Sequence, residues 1–562
     1  MKKLNYKFKI IGQIIFVIIF LSTSPTKALD KFNKADNISD YFSGILLLND
    51  NQYADSLKHL KKLNGLESNH SNYSIKYLYS LVNSGNLREA FNYSRKLEIK
   101  KKDIFESHLI SGIFYLKNSN IDLAQKYFLK AKESNSRFVL NNYVSNSLYN
   151  LTKLSNLDQA NKDLKKLDQR FENLKMIQKV FINCFFTSPN THNLFSEITS
   201  NQNTDFSRYN YFHAVYAAST GDINRAKKIV NAALEVYPRN LLLNQYKIDL
   251  NKNKNLLIFN CKKEEHIIGE ILYITANALS SQSLYSLSNF YLNLAKHLNP
   301  NFHSYNILLA ENFFKTNNFK KSKKIYKNLS KNGTAFNWYS TKQLARILNQ
   351  EQDKDEALKL LNNSYNNLQN KKIYEIFDYA EFLKNNEKFK ESIPLYSKIL
   401  NQIEKEHPLY TEATDGRGIS YERIGKWKKA EKDLLASLEA NPNQAYVINY
   451  LAYSWIEQGV KIKKSLNMLE RANKLRSNDP FITDSLGWAL FKLERYKEAK
   501  NYLQLAVKLL PADPIVNDHY GDVLWKNGNK IQARYYWNYV LKLESTEDNL
   551  KKTIEKKLIQ GL

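Results

Sequence analysis

The chain of 562 residues is poor in cysteine, proline and glycine, with two, 10 and 16 residues respectively. Because so few residues break regular structure, the composition favours long stretches of helix. Two cysteines, Cys184 and Cys261, are too few for a disulfide framework or a cysteine-based zinc site. They could pair in an exported protein or stay buried and free, and the sequence leaves both readings open.

Acidic residues are also scarce beside basic ones, 55 against 83, which gives a formal net charge of +28. Such an excess can mark a surface for nucleic acid, anionic lipid or another acidic partner, or it can reflect lysine-rich composition alone. The lysines are spread over nearly every predicted helix, and no signature of a nucleic-acid-binding module accompanies them. We therefore expect no nucleic-acid partner and keep an anionic surface bound by the basic exterior as an alternative.

Long apolar runs are absent except for Ile10–Leu21, which is short for a membrane span. A basic lead precedes this run, and the small residues Thr26 and Ala28 follow it. This order predicts a signal peptide over residues 1–28, and hence a periplasmic or secreted protein. The alternative is a protein anchored in the membrane by residues 10–21.

A pattern of small residues recurs along the chain with a period of about 34 residues. The stretch DSLGWALFKLERYKEAKNYLQLAVKLLP begins at Asp484, and a shift of 34 places Gly487 on Gly521 and Ala499 on Ala533. A repeat of this length, with apolar residues three and four apart, predicts stacked pairs of antiparallel helices. The small residues let paired helices approach closely, and they are Gly44, Gly112, Ala310, Ala345, Ala380, Gly418, Ala430, Ala452, Gly487, Ala499, Ala506, Gly521 and Ala533.

This pattern resembles the tetratricopeptide repeat family over nearly all of residues 36–544, most weakly between 150 and 268. The resemblance implies an all-α, right-handed solenoid of about 13–15 helix-turn-helix repeats. In the last segment, Ser545 and Asp548 resemble a capping box that begins a final helix. The predicted organisation is a signal peptide at 1–28, N-terminal repeats at 29–149, degenerate helical repeats at 150–268, a C-terminal array at 269–544 and a capping helix at 545–562.

No phosphate-binding loop, nucleophile elbow or HExxH motif occurs in the sequence. His266 and Glu270 have helical i, i+4 spacing, but two such residues do not make a metal site, and we expect a surface pair. We therefore predict no catalytic, cofactor-binding or metal-binding residues. An enzyme with its active site in residues 150–268 is a less favoured alternative.

The resemblance also implies which side chains line the inner surface, namely those three before and one after the small residue of each first helix. In the C-terminal array these positions, with two more along the same helices, are Asp415, Asn449, Tyr453, Asp484, Trp488, Phe491, Asp518, Asp522 and Trp525. One interpretation is a groove that binds a protein or an extended peptide. The other is that the polar residues bond neighbouring helices and the aromatic residues belong to the core.

The function that follows from the resemblance is a non-catalytic scaffold for protein–protein interaction. Together with the predicted signal peptide, it suggests a role in the bacterial cell envelope, in assembly, export or polymer secretion. The sequence does not name the partner, the pathway or the oligomeric state.

Overall fold

The computed structural model describes residues 35–63, 65–68, 70–134, 139–201, 205–254 and 258–562. Within these ranges the regular secondary structure consists of α-helices and three short 3₁₀ helices, without strands, so the predicted all-α class is confirmed. The predicted signal peptide at 1–28 and the alternative anchor at 10–21 lie outside the described residues. In the part of the chain that the structure describes, no helix combines the length and apolar character needed to cross a membrane.

The chain divides into two compact units, one up to Leu360 and the other from Leu361. The helices of the first unit, of which the last crosses the division, are α1 Ala35–Asn49, α2 Tyr53–Lys62, α3 Ser71–Asn83, α4 Leu87–Ile99, α5 Phe105–Lys117, α6 Ile121–Glu133, α7 Val139–Leu151, α8 Leu157–Lys165, α9 Glu172–Phe185, α10 Thr191–Thr199, α11 Tyr209–Ser219, α12 Ile223–Val236, α13 Leu241–Asn251, α14 Glu264–Ser281, α15 Tyr285–Leu298, α16 Ser304–Lys315, α17 Phe319–Leu329, α18 Thr334–Gln350 and α19 Lys354–Asn366.

The helices of the second unit form successive antiparallel pairs followed by a single last helix. They are α20 Ile373–Asn385, α21 Phe389–Leu400, α22 Leu409–Arg423, α23 Trp427–Ala440, α24 Ala445–Glu457, α25 Ile462–Leu475, α26 Pro480–Lys492, α27 Tyr496–Leu509, α28 Pro514–Lys526, α29 Lys530–Lys542 and α30 Asp548–Gln560.

The pair α26–α27 shows how the sequence builds each hairpin. The Asp479 carboxylate caps the first turn of α26 by accepting from the backbone N–H groups of Phe481 and Ile482. Gly487 lies where the two helices approach most closely, and a Cβ atom there would be 2.6 Å from Leu503 Cγ. The alanines of the repeat pattern, among them Ala499 and Ala506, are fully buried at the corresponding contacts. A larger side chain at these positions would force the helices apart.

The inner surface of the N-terminal hairpins is covered by another part of the same unit. Helix α15 packs against α3 and α5, and α14 packs against α7 and α9. The Asn289 side chain donates to Tyr53 Oη over 2.7 Å, and Lys117 Nζ donates to the Leu298 carbonyl over 2.9 Å. The first helices of these hairpins therefore contact α14 and α15 on their inner side.

Cys184 and Cys261 form a disulfide, with their Cα atoms 5.9 Å apart. Of the two alternatives that the sequence left open, paired or free cysteines, the structure has the paired one. Cys184 lies near the end of α9 and Cys261 lies three residues before α14, so the bond fastens the α14–α15 pair to the hairpins that surround it.

The last helix, α30, covers the end of the second unit. Its stripe of Leu550, Ile554 and Leu558 faces inward, and Ile554 is fully buried. The predicted capping box of Ser545 and Asp548 is wrong, because the helix begins at Asp548 with Glu547 as its N-cap and no side-chain cap. Helix formation here depends mainly on packing of the apolar stripe.

Candidate functional site

The nine predicted groove residues lie on the first helices of four successive hairpins, α22, α24, α26 and α28. We call their side chains the first-helix surface. Helix α26 packs against both α24 and α28, so the residues on these three helices form a continuous row. Asp415, on α22, is half-buried.

His519 is the centre of this row, although it is not among the nine predicted groove residues. Its Nδ1 donates to Asp484 Oδ2 over 2.9 Å, and its ring stacks on Trp488 at 3.9 Å between centroids. Burial alone would lower the pKa of His519, but the nearby charges of Asp484, Asp518 and Asp522 raise it above its usual value. The imidazolium form is therefore stabilised inside the row.

Trp488 also has a fixed place in this arrangement. Its indole N–H donates to Glu457 Oε1 over 2.7 Å, and its ring stacks on Phe491 with centroids 4.7 Å apart. Both rings are largely buried, with under a tenth of their surface exposed. These contacts fix the positions of both rings. Tyr453 on α24, by contrast, has a partly exposed side chain.

Lys557 of α30 neutralises the two carboxylates at the end of the row. Its Nζ donates to Asp518 Oδ1 over 2.7 Å and to both oxygens of Asp522 over 2.8 Å. The Trp537 indole N–H donates to Asp522 Oδ1 as well. Burial, together with the charge of Asp518, raises the pKa of Asp522 to about 6, although Lys557 opposes the shift.

Two oxygen atoms of the row are buried and accept no hydrogen bond from any described residue, namely Oδ1 of Asn449 and Oδ1 of Asp484. They lie on neighbouring first helices, at equivalent positions of successive repeats, four residues before Tyr453 and Trp488 respectively. A buried acceptor without a partner costs about 1–3 kcal/mol. No described residue uses the acceptor capacity of these two atoms.

Asp415 differs from the other carboxylates of the surface. Burial raises its pKa to about 7, the negative charge of Glu381 adds to the effect, and the positive charge of Lys384 opposes it. Trp525, at the other end of the surface, packs against Trp537 and lies under the guanidinium group of Arg534.

The structure thus separates the predicted residues into two groups. Asp484, Asp518 and Asp522 bond to His519 or Lys557 of neighbouring helices, as the second interpretation of the sequence describes. Asn449 and one oxygen of Asp484 keep unused acceptor capacity. The sequence held a signal for the His519 contact, since Asp484 and His519 are 35 residues apart, about one repeat.

The expectation of a surface pair of His266 and Glu270 is wrong. Glu270 is fully buried and receives two hydrogen bonds from the guanidinium group of Arg208. His266 instead accepts from the backbone N–H of Asn260 over 2.9 Å. Within the described ranges, no three or more His, Cys, Asp or Glu side chains are grouped so that they could hold a metal ion.

Comparison with known proteins gives matches to tetratricopeptide repeat proteins. A family model described as tetratricopeptide repeat matches residues 310–546. The TPR repeat-containing protein PA4667 of Pseudomonas aeruginosa is 28% identical over 121 residues, which cover 21% of this chain and 20% of that protein. The chain therefore matches about a fifth of the length of this curated relative.

The solved structures that match this chain cover about a third of it. One, titled a functional characterisation of Pseudomonas aeruginosa pilF, has 16% identity and a TM-score of 0.28, covering 33% of this chain and 85% of that one. Another, YrrB, titled a TPR protein with an unusual peptide-binding site, has 17% identity and a TM-score of 0.27, covering 33% of this chain and 92% of that one.

Proposed function

Residues 310–546 form a tetratricopeptide repeat array, and on this basis we propose that the chain is a non-catalytic scaffold that binds an extended segment of a partner protein. The binding site is the first-helix surface of the second unit. The match to this family supports a role in protein–protein interaction. The arrangement of the first-helix surface supports the proposal that this surface binds an extended segment.

The observation that carries the proposal is the pair of buried, unpartnered acceptors, Asn449 Oδ1 and Asp484 Oδ1. Both atoms are shielded from solvent in this structure, so a partner's backbone N–H groups, or the side chain of its lysine or arginine, would satisfy them once the surrounding side chains move. Trp488 and Tyr453 would provide apolar contact beside these hydrogen bonds. An acidic partner is disfavoured, because Asp484 and Glu457 would repel it.

For the location we propose the cell envelope, with the protein periplasmic or secreted after removal of residues 1–28. The bond between Cys184 and Cys261 supports this proposal, since disulfides persist in oxidising compartments. Assembly, export or polymer secretion in the envelope is the proposed context. Accessibility of the chain to a protease, in cells whose outer permeability barrier has been opened, tests the location.

Photocrosslinking in the producing cells tests the binding surface. A photoreactive phenylalanine analogue replaces Tyr453, which is partly exposed beside the two acceptors. Tyr535, which is 69% exposed on α29, is the matched control position. We expect a discrete crosslinked protein from position 453 and none from position 535.

The same experiment in an Asn449→Leu background separates binding from folding. Leucine has the same number of side-chain heavy atoms and the same branching as asparagine, and it removes an acceptor that has no internal partner, so stability should be unchanged or slightly higher. Loss of the crosslink at unchanged melting temperature supports the proposal. An equally strong crosslink in this background, or equal products from positions 453 and 535, contradicts it.

A further inference from the structure

One face of α17 exposes a line of lysines. Lys320, Lys324, Lys327 and, just after the helix, Lys331 follow each other at intervals of four, three and four residues, and all are exposed. This spacing places them on one side of the helix. The line is about 16 Å long at a rise of about 1.5 Å per residue.

No carboxylate neutralises this line. Residues 312–350 contain eight lysines and one arginine but no aspartate or glutamate. The neighbouring Lys323 pairs with Glu351, whereas the four exposed lysines have no ion pair within the described part of the chain. The positive charge of this face is therefore available to an external partner.

A second exposed feature adjoins the start of α17. Helix α1 presents Ile38, Phe42 and Leu46 to solvent at successive turns, with 52%, 60% and 63% of their surface exposed. The turn that follows α1 contacts α17, because Lys321 Nζ donates to the carbonyl of Asn51 over 3.0 Å. The helix with the basic stripe is thus joined by a hydrogen bond to the turn that follows the helix with the apolar stripe.

We propose that α17 and α1 dock the first unit on an anionic lipid bilayer. Lysines are compact point charges that suit the diffuse negative charge of lipid headgroups, whereas planar bidentate recognition of a single phosphate favours arginine. Exposed apolar side chains on an adjoining helix can enter the boundary between headgroups and acyl chains. Asp40 on α1 opposes this attraction little, because Lys62 and His59 pair with it.

This surface lies in the first unit and is separate from the first-helix surface of the second. It does not depend on the peptide-binding proposal. The bilayer would hold the scaffold near its site of action while the second unit stays available to a protein partner.

Sedimentation with lipid vesicles tests the proposal. The probe is a vesicle of phosphatidylcholine with about one third phosphatidylglycerol, and pure phosphatidylcholine is the neutral reference. The protein used is residues 29–562, which retain all described residues and exclude the apolar run Ile10–Leu21. We expect binding to the anionic vesicles that weakens with added salt, and little binding to the neutral ones.

Two charge-matched double variants locate the binding surface. Each lysine near an anionic bilayer contributes about fivefold in affinity, so Lys324→Gln with Lys327→Gln should weaken binding about 30-fold. The control, Lys428→Gln with Lys432→Gln, removes the same charge from exposed positions on α23 and should change binding less than threefold. Phe42→Ser should weaken binding to vesicles without changing retention on soluble polyphosphate.

Several results would overturn the proposal. Equal loss of binding in the two double variants would mean that net charge acts without a specific surface. Binding to soluble polyphosphate but not to anionic vesicles would mean that the lysines recognise a phosphate polymer. No binding to anionic vesicles at low salt would remove the bilayer as the partner.

Discussion

Asp415→Asn should stabilise the second unit at neutral pH. The carboxyl group of Asp415 has a pKa of about 7 instead of its ordinary value of 3.8, because burial disfavours its charged form and Glu381 repels it. Ionising this group in the folded protein therefore costs free energy. Asparagine has nearly the same shape and no charge, so the variant avoids this cost.

The sign and size of the effect follow from the two pKa values. Between pH 4 and 7 the folded state holds the Asp415 proton more often than the unfolded state, so stability falls as pH rises through this range. A difference of about three pKa units corresponds to about 4 kcal/mol. Because the side chain is only half-buried, solvent reduces this figure, and we expect about 2 kcal/mol at pH 8.

The tryptophans allow this change to be measured on the second unit. Trp338 is in the first unit, and the other five of the six are in the second: Trp427, Trp455, Trp488, Trp525 and Trp537. Urea unfolding followed by tryptophan fluorescence should show the variant about 2 kcal/mol more stable than wild type at pH 8 and nearly equal at pH 4.

An exposed carboxylate on α30 provides the control for this measurement. Asp548→Asn removes a carboxylate that is 90% exposed and controls for loss of negative charge alone. If Asp415→Asn and wild type lose stability in parallel between pH 4 and 8, the reasoning about Asp415 is refuted.

Three further changes test the packing of the two units. Lys557→Met should destabilise the second unit by about 3–5 kcal/mol in urea unfolding, since it leaves the buried carboxylates of Asp518 and Asp522 without their cation. An unchanged free energy of unfolding would contradict the pairing of Lys557 with these carboxylates. Gly487→Leu should cost roughly 1–3 kcal/mol by overpacking, measured in the same way, and a neutral result would show that the helices can separate. Replacing Cys184 and Cys261 by serine should lower the unfolding free energy of the first unit by about 4 kcal/mol, for a loop of 77 residues, as measured by hydrogen exchange; an equal effect on the second unit would contradict this localisation.

The repeat pattern predicted the helical hairpins because their chemistry is local. Small residues such as Gly487 and Ala499 are required within one hairpin, and each recurs with the period of the repeat. The short turns at 493–495 and 527–529 separate the paired helices α26–α27 and α28–α29. Boundaries that depend on tertiary packing were predicted less well, as the start of α30 at Asp548 shows.

The sequence could not predict how the first unit fills its own inner surface. Packing of α15 against α3 and α5 joins residues about 200 positions apart, as in the bond from Asn83 to the Ser286 carbonyl. No periodic pattern marks such a contact. The burial of Glu270 against Arg208 was missed for the same reason, since the two residues are 62 positions apart.

The two interpretations of the first-helix surface lead to different results for Asp484→Ala. If Asp484 serves only a ligand-binding groove, its removal should cost little stability. The structure predicts a loss of about 3–5 kcal/mol, because the buried imidazolium of His519 would lose its main counter-ion. The raised pKa of His519 means that its pairing with Asp484 stabilises the fold at low pH, and that this contribution disappears as pH rises through the folded pKa. The destabilisation should therefore be larger at pH 5 than at pH 9. A uniform loss at both pH values would show that Asp484 acts through packing alone, and no loss at either would return it to the ligand-binding group with Asn449.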